Sequence, residues 1–222
     1  MTLMNRRAMI ALAAAMAASP VVGQETTTTT DTTTADTATV TDTAAAVPEV
    51  KDFSIGSPDA PVKIVEYASF TCPHCAHFAE EVFKPLKRDY IDTGKVHYTL
   101  REVYFDRYGL WAAMMARCGG ELKYFPVADI LFSTQSEWAA TDDPTVAIGN
   151  IRKIGLTAGM TDAQLDQCLN DAPMADALVK QFEANMKADQ VEGTPTLFIN
   201  GEKHPNMSYD DLKALIDTAL AG

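Results

Sequence analysis

Two cysteines separated by two residues, in Phe70-Thr71-Cys72-Pro73-His74-Cys75, sit where an apolar run from Val62 to Phe70 gives way to a helix-period run from Cys75 to Tyr90. A C-x-x-C on the first turn of a helix brings both sulfurs close enough to close a small disulfide ring. The first sulfur then lies at the helix N-terminus, where unpaired backbone N–H groups and the positive end of the dipole favour a thiolate. Pro73 suits the first helical position, because its missing N–H has no helical partner there, and His74 can add a positive charge or a donor beside Cys72. A stabilised thiolate makes the disulfide easy to reduce and therefore oxidising. The same pair with His74 is also half of a zinc site, so a metal-binding protein using Cys72, His74 and Cys75 is the alternative from a different class. Tetrahedral zinc takes four ligands, however, and the other cysteines, Cys118 and Cys168, are distant and isolated. The reading adopted carries no metal and no cofactor.

The elements around the pair follow from periodicity. Val62-Lys63-Ile64-Val65-Glu66-Tyr67 is β-rich with few polar residues, as expected of a central strand covered on both faces. Glu66, six residues before Cys72, is therefore either at an exposed edge or buried beneath the site. Cys75, Phe78, Val82, Leu86 and Tyr90 make one helical face, which leaves Cys75 shielded and Cys72 exposed as the attacking sulfur. Pro85 inside this helix is expected to kink it. Val96 to Val103 alternates as the next strand, with His97 on its surface; His77 falls on the wet face of the helix. From Asp106 to Gln190 the pattern is helical throughout, with Asp143-Pro144 and Thr161-Asp162-Ala163-Gln164 as helix starts. Val191 to Gly201 returns to strand, ending in an Asn200-Gly201 hairpin turn, and Ser208-Tyr209-Asp210-Asp211 opens a last helix.

Residues 1–23 read as a signal peptide, with Asn5-Arg6-Arg7 before the apolar run Ala8 to Ala18 and small residues at Ala17-Ala18-Ser19 or Val21-Val22-Gly23 for cleavage. Arg6-Arg7 fits a twin-arginine signal as well as a general one. Residues 24–47, almost entirely Thr, Ala and Asp, cannot bury enough apolar surface to offset their conformational entropy and are expected to form a disordered tether. The rest of the 222-residue chain suits one compact domain with an insertion. A net charge of −12 disfavours nucleic acid and anionic membrane as partners. In an oxidising compartment four cysteines form an even set, which pairs Cys118 with Cys168 across about 50 residues and adds up to about 4 kcal/mol; two free buried thiols are the other reading.

Cys72-Pro73-His74-Cys75 after Val65-Glu66-Tyr67-Ala68-Ser69-Phe70, with Gly193-Thr194-Pro195-Thr196 late in the chain, resembles the DsbA family of periplasmic thiol-disulfide oxidoreductases. The resemblance implies an α/β, thioredoxin-like fold with an inserted all-helical subdomain: residues 48–105 and 191–222 for the thioredoxin-like part, residues 106–190 for the insertion. It implies that Glu66 lies under the reactive pair and can relay protons to the inner cysteine, and that the Thr194–Pro195 bond is cis and packs against the disulfide. It also implies a monomeric periplasmic enzyme that introduces disulfides into unfolded exported polypeptides and is reoxidised by a quinone-linked membrane partner of the DsbB kind. Disulfide isomerase or reductase activity on the same fold is the alternative within this chemistry.

Overall fold

The computed structural model describes residues 48–222. The signal peptide, the twin-arginine pair and the tether read from the sequence lie outside the described residues. The sheet has five strands: β1 (Phe53–Ile55), β2 (Val62–Ala68), β3 (Val96–Glu102), β4 (Thr196–Ile199) and β5 (Glu202–Pro205), in the order β1-β3-β2-β4-β5. Only the β2–β3 pair is parallel, with Glu66 opposite Leu100; β2 pairs antiparallel with β4, placing Glu66 opposite Leu197. β2 is thus the central strand, and Glu66 is enclosed on both sides rather than set at an edge. Val62, Ile64 and Ala68 join a large core, while Val65 and Tyr67 join a smaller cluster with Val103, Val191, Phe182 and Met186. That alternation is the two-residue period of a strand covered on both faces.

The parallel β2–β3 connection is helical from Pro73 to Ile91. It runs as α1 (Pro73–Phe78), a π-helical turn (Ala79–Phe83), α2 (Lys84–Leu86) and a second π-helical turn (Lys87–Ile91). Pro85 lies between the two π-helical turns. Its ring removes one N–H from the ladder, and wider hydrogen-bonded turns on either side let the helix continue past it. Gly56, at φ +96°, packs so closely on β3 that a Cβ would come 2.4 Å from the Val96 carbonyl oxygen, so no other residue fits there.

Between β3 and β4 lie α3 (Arg107–Cys118), α4 (Glu121–Ser133), α5 (Gln135–Trp138), α6 (Pro144–Thr157), α7 (Asp162–Leu169) and α8 (Ala172–Ala188); α9 (Tyr209–Ala221) closes the chain. Asp106, Asp143 and Asp171 cap α3, α6 and α8 with their carboxylates, and Thr161 and Gln164 form a full capping box on α7. Ser208 caps α9 through the Asp211 N–H, but the shorter Asp211 carboxylate takes the Ser208 hydroxyl instead of completing a box. Met115, Tyr124, Leu131, Trp138 and Ile151 from these helices share one core with the sheet. Burying each such side chain contributes about 1.5–3 kcal/mol, so the helices and the sheet stabilise each other. Cys118 at the end of α3 and Cys168 in α7 are joined by a disulfide across 50 residues.

Candidate redox-active site

β2 ends at Ala68, and the turn Ser69–Cys72, closed by the Cys72 N–H on the Ser69 carbonyl at 3.1 Å, delivers the chain into α1. Cys72 is the N-cap residue of α1, in extended backbone, and Pro73 takes the first helical position. Cys72 is half-buried and Cys75 fully buried; both are free thiols in this structure. The cis peptide bond Thr194–Pro195 enters β4, and the Cys72 Sγ lies 3.6 Å from the Thr194 carbonyl oxygen.

This geometry splits the two sulfurs. The Cys75 S–H donates to Cys72; together with the Thr194 side chain and the backbone N–H groups of Cys75 and His74, it outweighs burial and lowers the Cys72 thiol to about 5. Burial pushes the Cys75 thiol far above its ordinary value, reinforced by the hydrogen bond it gives Cys72 and by the Glu66 charge. The His74 imidazole is exposed, so what reaches the sulfur from this residue is its backbone N–H. The Thr194 hydroxyl is buried without a hydrogen-bond partner, beside both sulfurs, and its dipole lowers both thiols.

Glu66 is 3% exposed, and its carboxylate accepts the Tyr98 hydroxyl from the neighbouring strand. Burial raises it to about 8; the Tyr98 bond opposes that rise and the Cys72 charge adds to it. At neutral pH it is therefore a mostly protonated acid, within electrostatic reach of both sulfurs.

The structure brings Cys72, Pro73, His74, Cys75, Glu66, Thr194 and Pro195 to one end of the sheet. Cys118 and Cys168 are elsewhere, between helices. Among the described residues no three His, Cys, Asp or Glu side chains are placed to hold a metal ion.

Three residues near the site had no sequence signal strong enough to single them out. In the sequence Tyr98 is one residue of an alternating strand, and only the parallel pairing of β3 with β2 turns it toward Glu66. Asp106 caps α3 and also accepts the Thr71 hydroxyl at 2.6 Å. Gln135 donates to the carbonyls of Phe70 at 2.7 Å and Cys72 at 3.0 Å. It lies in a four-residue helix that periodicity cannot detect, and only the folded chain puts it beside residues more than 60 positions earlier.

A family model described as thioredoxin matches residues 48–218. The putative protein-disulfide oxidoreductase of Rickettsia bellii is 33% identical over 185 residues, covering 78% of this chain and 70% of the relative. Four further rickettsial relatives are covered over only 60–62% of their lengths. Disulfide bond formation protein D of Bacillus subtilis is 26% identical over 193 residues, covering 82% of this chain and 83% of that one. Among solved structures, alpha-DsbA1 of Wolbachia pipientis superposes with a TM-score of 0.72 at 28% identity, over 79% of this chain and 94% of its own. Motif, fold and relatives agree: the chain belongs to the DsbA family of thiol-disulfide oxidoreductases in the thioredoxin superfamily.

Proposed function

We propose that this protein is an exported dithiol oxidase that introduces disulfides into unfolded polypeptides through Cys72 and Cys75. The observation that carries the reading is the opposite displacement of the two thiols, Cys72 lowered to about 5 and Cys75 raised. A client thiolate attacks the Cys72 Sγ of the oxidised pair. The Cys72–Cys75 bond breaks, its electrons leave on the Cys75 sulfur, and that sulfur takes the proton of Glu66. A second client thiolate then attacks the client's own sulfur in the mixed disulfide, and Cys72 departs as a thiolate. The client loses two electrons as its disulfide forms; the protein gains them as one thiolate and one thiol. Because Cys72 leaves as a stable anion, the exchange runs from client to protein.

The backbone before Pro195 lies outside β4, with the Thr194 carbonyl against Cys72, and would be free to pair with an extended client. Residues 48–105 and 191–222 form the thioredoxin-like frame of this reading, and residues 106–190 the helical insertion. In this reading a leader in residues 1–23 exports the protein to the periplasm. No helix among the described residues is long and apolar enough to cross a membrane. A quinone-linked membrane partner of the DsbB kind would reoxidise the pair.

The test is oxidative folding of a reduced, denatured client with substoichiometric protein in a glutathione buffer. Rapid gain of client disulfides supports an oxidase. Activity confined to rearranging scrambled disulfides favours the isomerase alternative, and zinc retained on Cys72, His74 and Cys75 under reducing conditions favours the metal-binding one.

A further inference from the structure

The turn that carries Cys72 is tied to the helical insertion on both of its flanks. On one side the Thr71 hydroxyl donates to Asp106, the residue that caps α3, at 2.6 Å. On the other, the Gln135 side-chain amide donates to the Phe70 carbonyl at 2.7 Å and to the Cys72 carbonyl at 3.0 Å. The Cys72 carbonyl already accepts the N–H groups of Cys75 and Ala76 at 3.1 Å each, so three donors converge on one oxygen. Gln135 is itself held firmly. It starts α5 directly after Thr134, whose hydroxyl donates to the Ile130 carbonyl, and Trp138, 1% exposed, anchors the other end of α5 by donating to the Leu131 carbonyl.

We propose that Gln135 is a positioning residue for the redox reaction, through which the helical insertion both fixes the Phe70–Cys72 turn and screens the reactive sulfur from its own carbonyl. The Cys72 carbonyl oxygen carries partial negative charge on the same residue as the sulfur, and this charge opposes a thiolate. A donor on that oxygen withdraws charge from it, so the anion is better tolerated. Gln135 also satisfies the Phe70 carbonyl at the buried end of the strand, so the turn keeps the shape in which the His74 and Cys75 N–H groups face the sulfur. The charged groups facing this turn are Asp106 beside Thr71, Glu66 beneath Cys75, and His74 on α1. The Gln135 amide is neutral, so its influence survives across the pH range.

This inference rests on Cys72 being the reactive thiolate. The test is the ultraviolet thiolate titration of the full reduced protein, wild type beside Gln135→Leu, Gln135→Glu and Thr71→Val, with the Cys118–Cys168 bridge kept intact. Gln135→Leu removes both donors and raises the Cys72 midpoint. Gln135→Glu sets a carboxylate against two carbonyls and raises it further, by about one unit or more. Thr71→Val removes the bond to Asp106 without touching the Cys72 carbonyl; it lowers the unfolding midpoint in urea and moves the thiolate midpoint less than Gln135→Leu does. Both Gln135 variants titrating with wild type, or Thr71→Val moving as far as Gln135→Leu, overturns the proposal. Should Gln135→Leu leave too little folded protein, Gln135→Lys carries the test, since it keeps a donor and adds charge; a midpoint at or above wild type overturns the proposal. A wild-type Cys72 that ionises like free cysteine would instead remove the oxidase reading, so the two failures are distinguishable.

Discussion

Replacing Glu66 with Gln should make the reduced protein more stable, by an amount that depends on pH in one direction only. The folded chain holds the Glu66 proton up to about 8, whereas the unfolded carboxyl releases it near 4.5. Between those two values the native state binds more protons than the unfolded state, so this residue lowers stability as pH rises, by about 1.4 kcal/mol per pH unit. From pH 4.5 to pH 7 the accumulated loss is about 3 kcal/mol. Gln keeps an acceptor for the Tyr98 hydroxyl and has nothing to titrate, so the variant escapes the loss. Cys72 titrates in the same window with the opposite sign: its depressed thiol adds stability as pH rises through about 5. Both proteins carry that contribution, so it cancels in their difference except for the smaller Cys72–Glu66 repulsion, which the variant loses. The assay is urea unfolding of wild type and Glu66→Gln at several pH values between 4.5 and 8. Cys72 and Cys75 are kept reduced and the Cys118–Cys168 bridge intact, as checked by alkylation and mass. The stability gap should widen by about 3 kcal/mol between pH 4.5 and 7. Parallel curves would show that Glu66 ionises normally, and it would then have no proton to hold for Cys75 at neutral pH.

Two further predictions concern the scaffold. Replacing Cys118 and Cys168 by Ala opens a loop of 50 residues and should cost up to about 4 kcal/mol in urea unfolding; a loss under about 1 kcal/mol would mean that packing between α3 and α7 carries the stability instead. Arg117, which holds the 4%-exposed Glu102 side chain, should cost about 3–5 kcal/mol when changed to Met, because a buried carboxylate loses its cation. Most of that loss should return in the double variant with Glu102→Gln, and its persistence there would assign the effect to lost packing on Phe53 and Tyr124 rather than to charge.

Most of this fold is legible in the sequence because its signals are local. β2 shows as an apolar run, α7 announces itself with Thr161 and Gln164, and Asn200-Gly201 forms a hairpin turn with φ of 49° and 88°. The reactive pair is legible for the same reason, since a helix start and two residues of spacing fix where both sulfurs lie. What periodicity does not supply is contact between distant segments. Nothing around Gln135 says that it meets Phe70 and Cys72, and nothing in Val96 to Val103 says that Tyr98 bonds Glu66. At Pro85 the local rule gives a kink from a missing N–H, but not the π-helical turns on either side of it that accommodate the loss.

The reduction potential of the Cys72–Cys75 pair, measured against glutathione at pH 7, tests the account most directly. A thiol held at about 5 in place of 9 favours the reduced form by up to two decades at pH 7, or about 60 mV for a two-electron couple. Solvent screening at the half-open sulfur brings this to about 30–60 mV. Set against a reducing dithiol near −270 mV, that shift places the Cys72–Cys75 pair at about −240 to −210 mV or higher. A value near −270 mV, typical of a dithiol that reduces its partners, would contradict the proposed direction of electron flow.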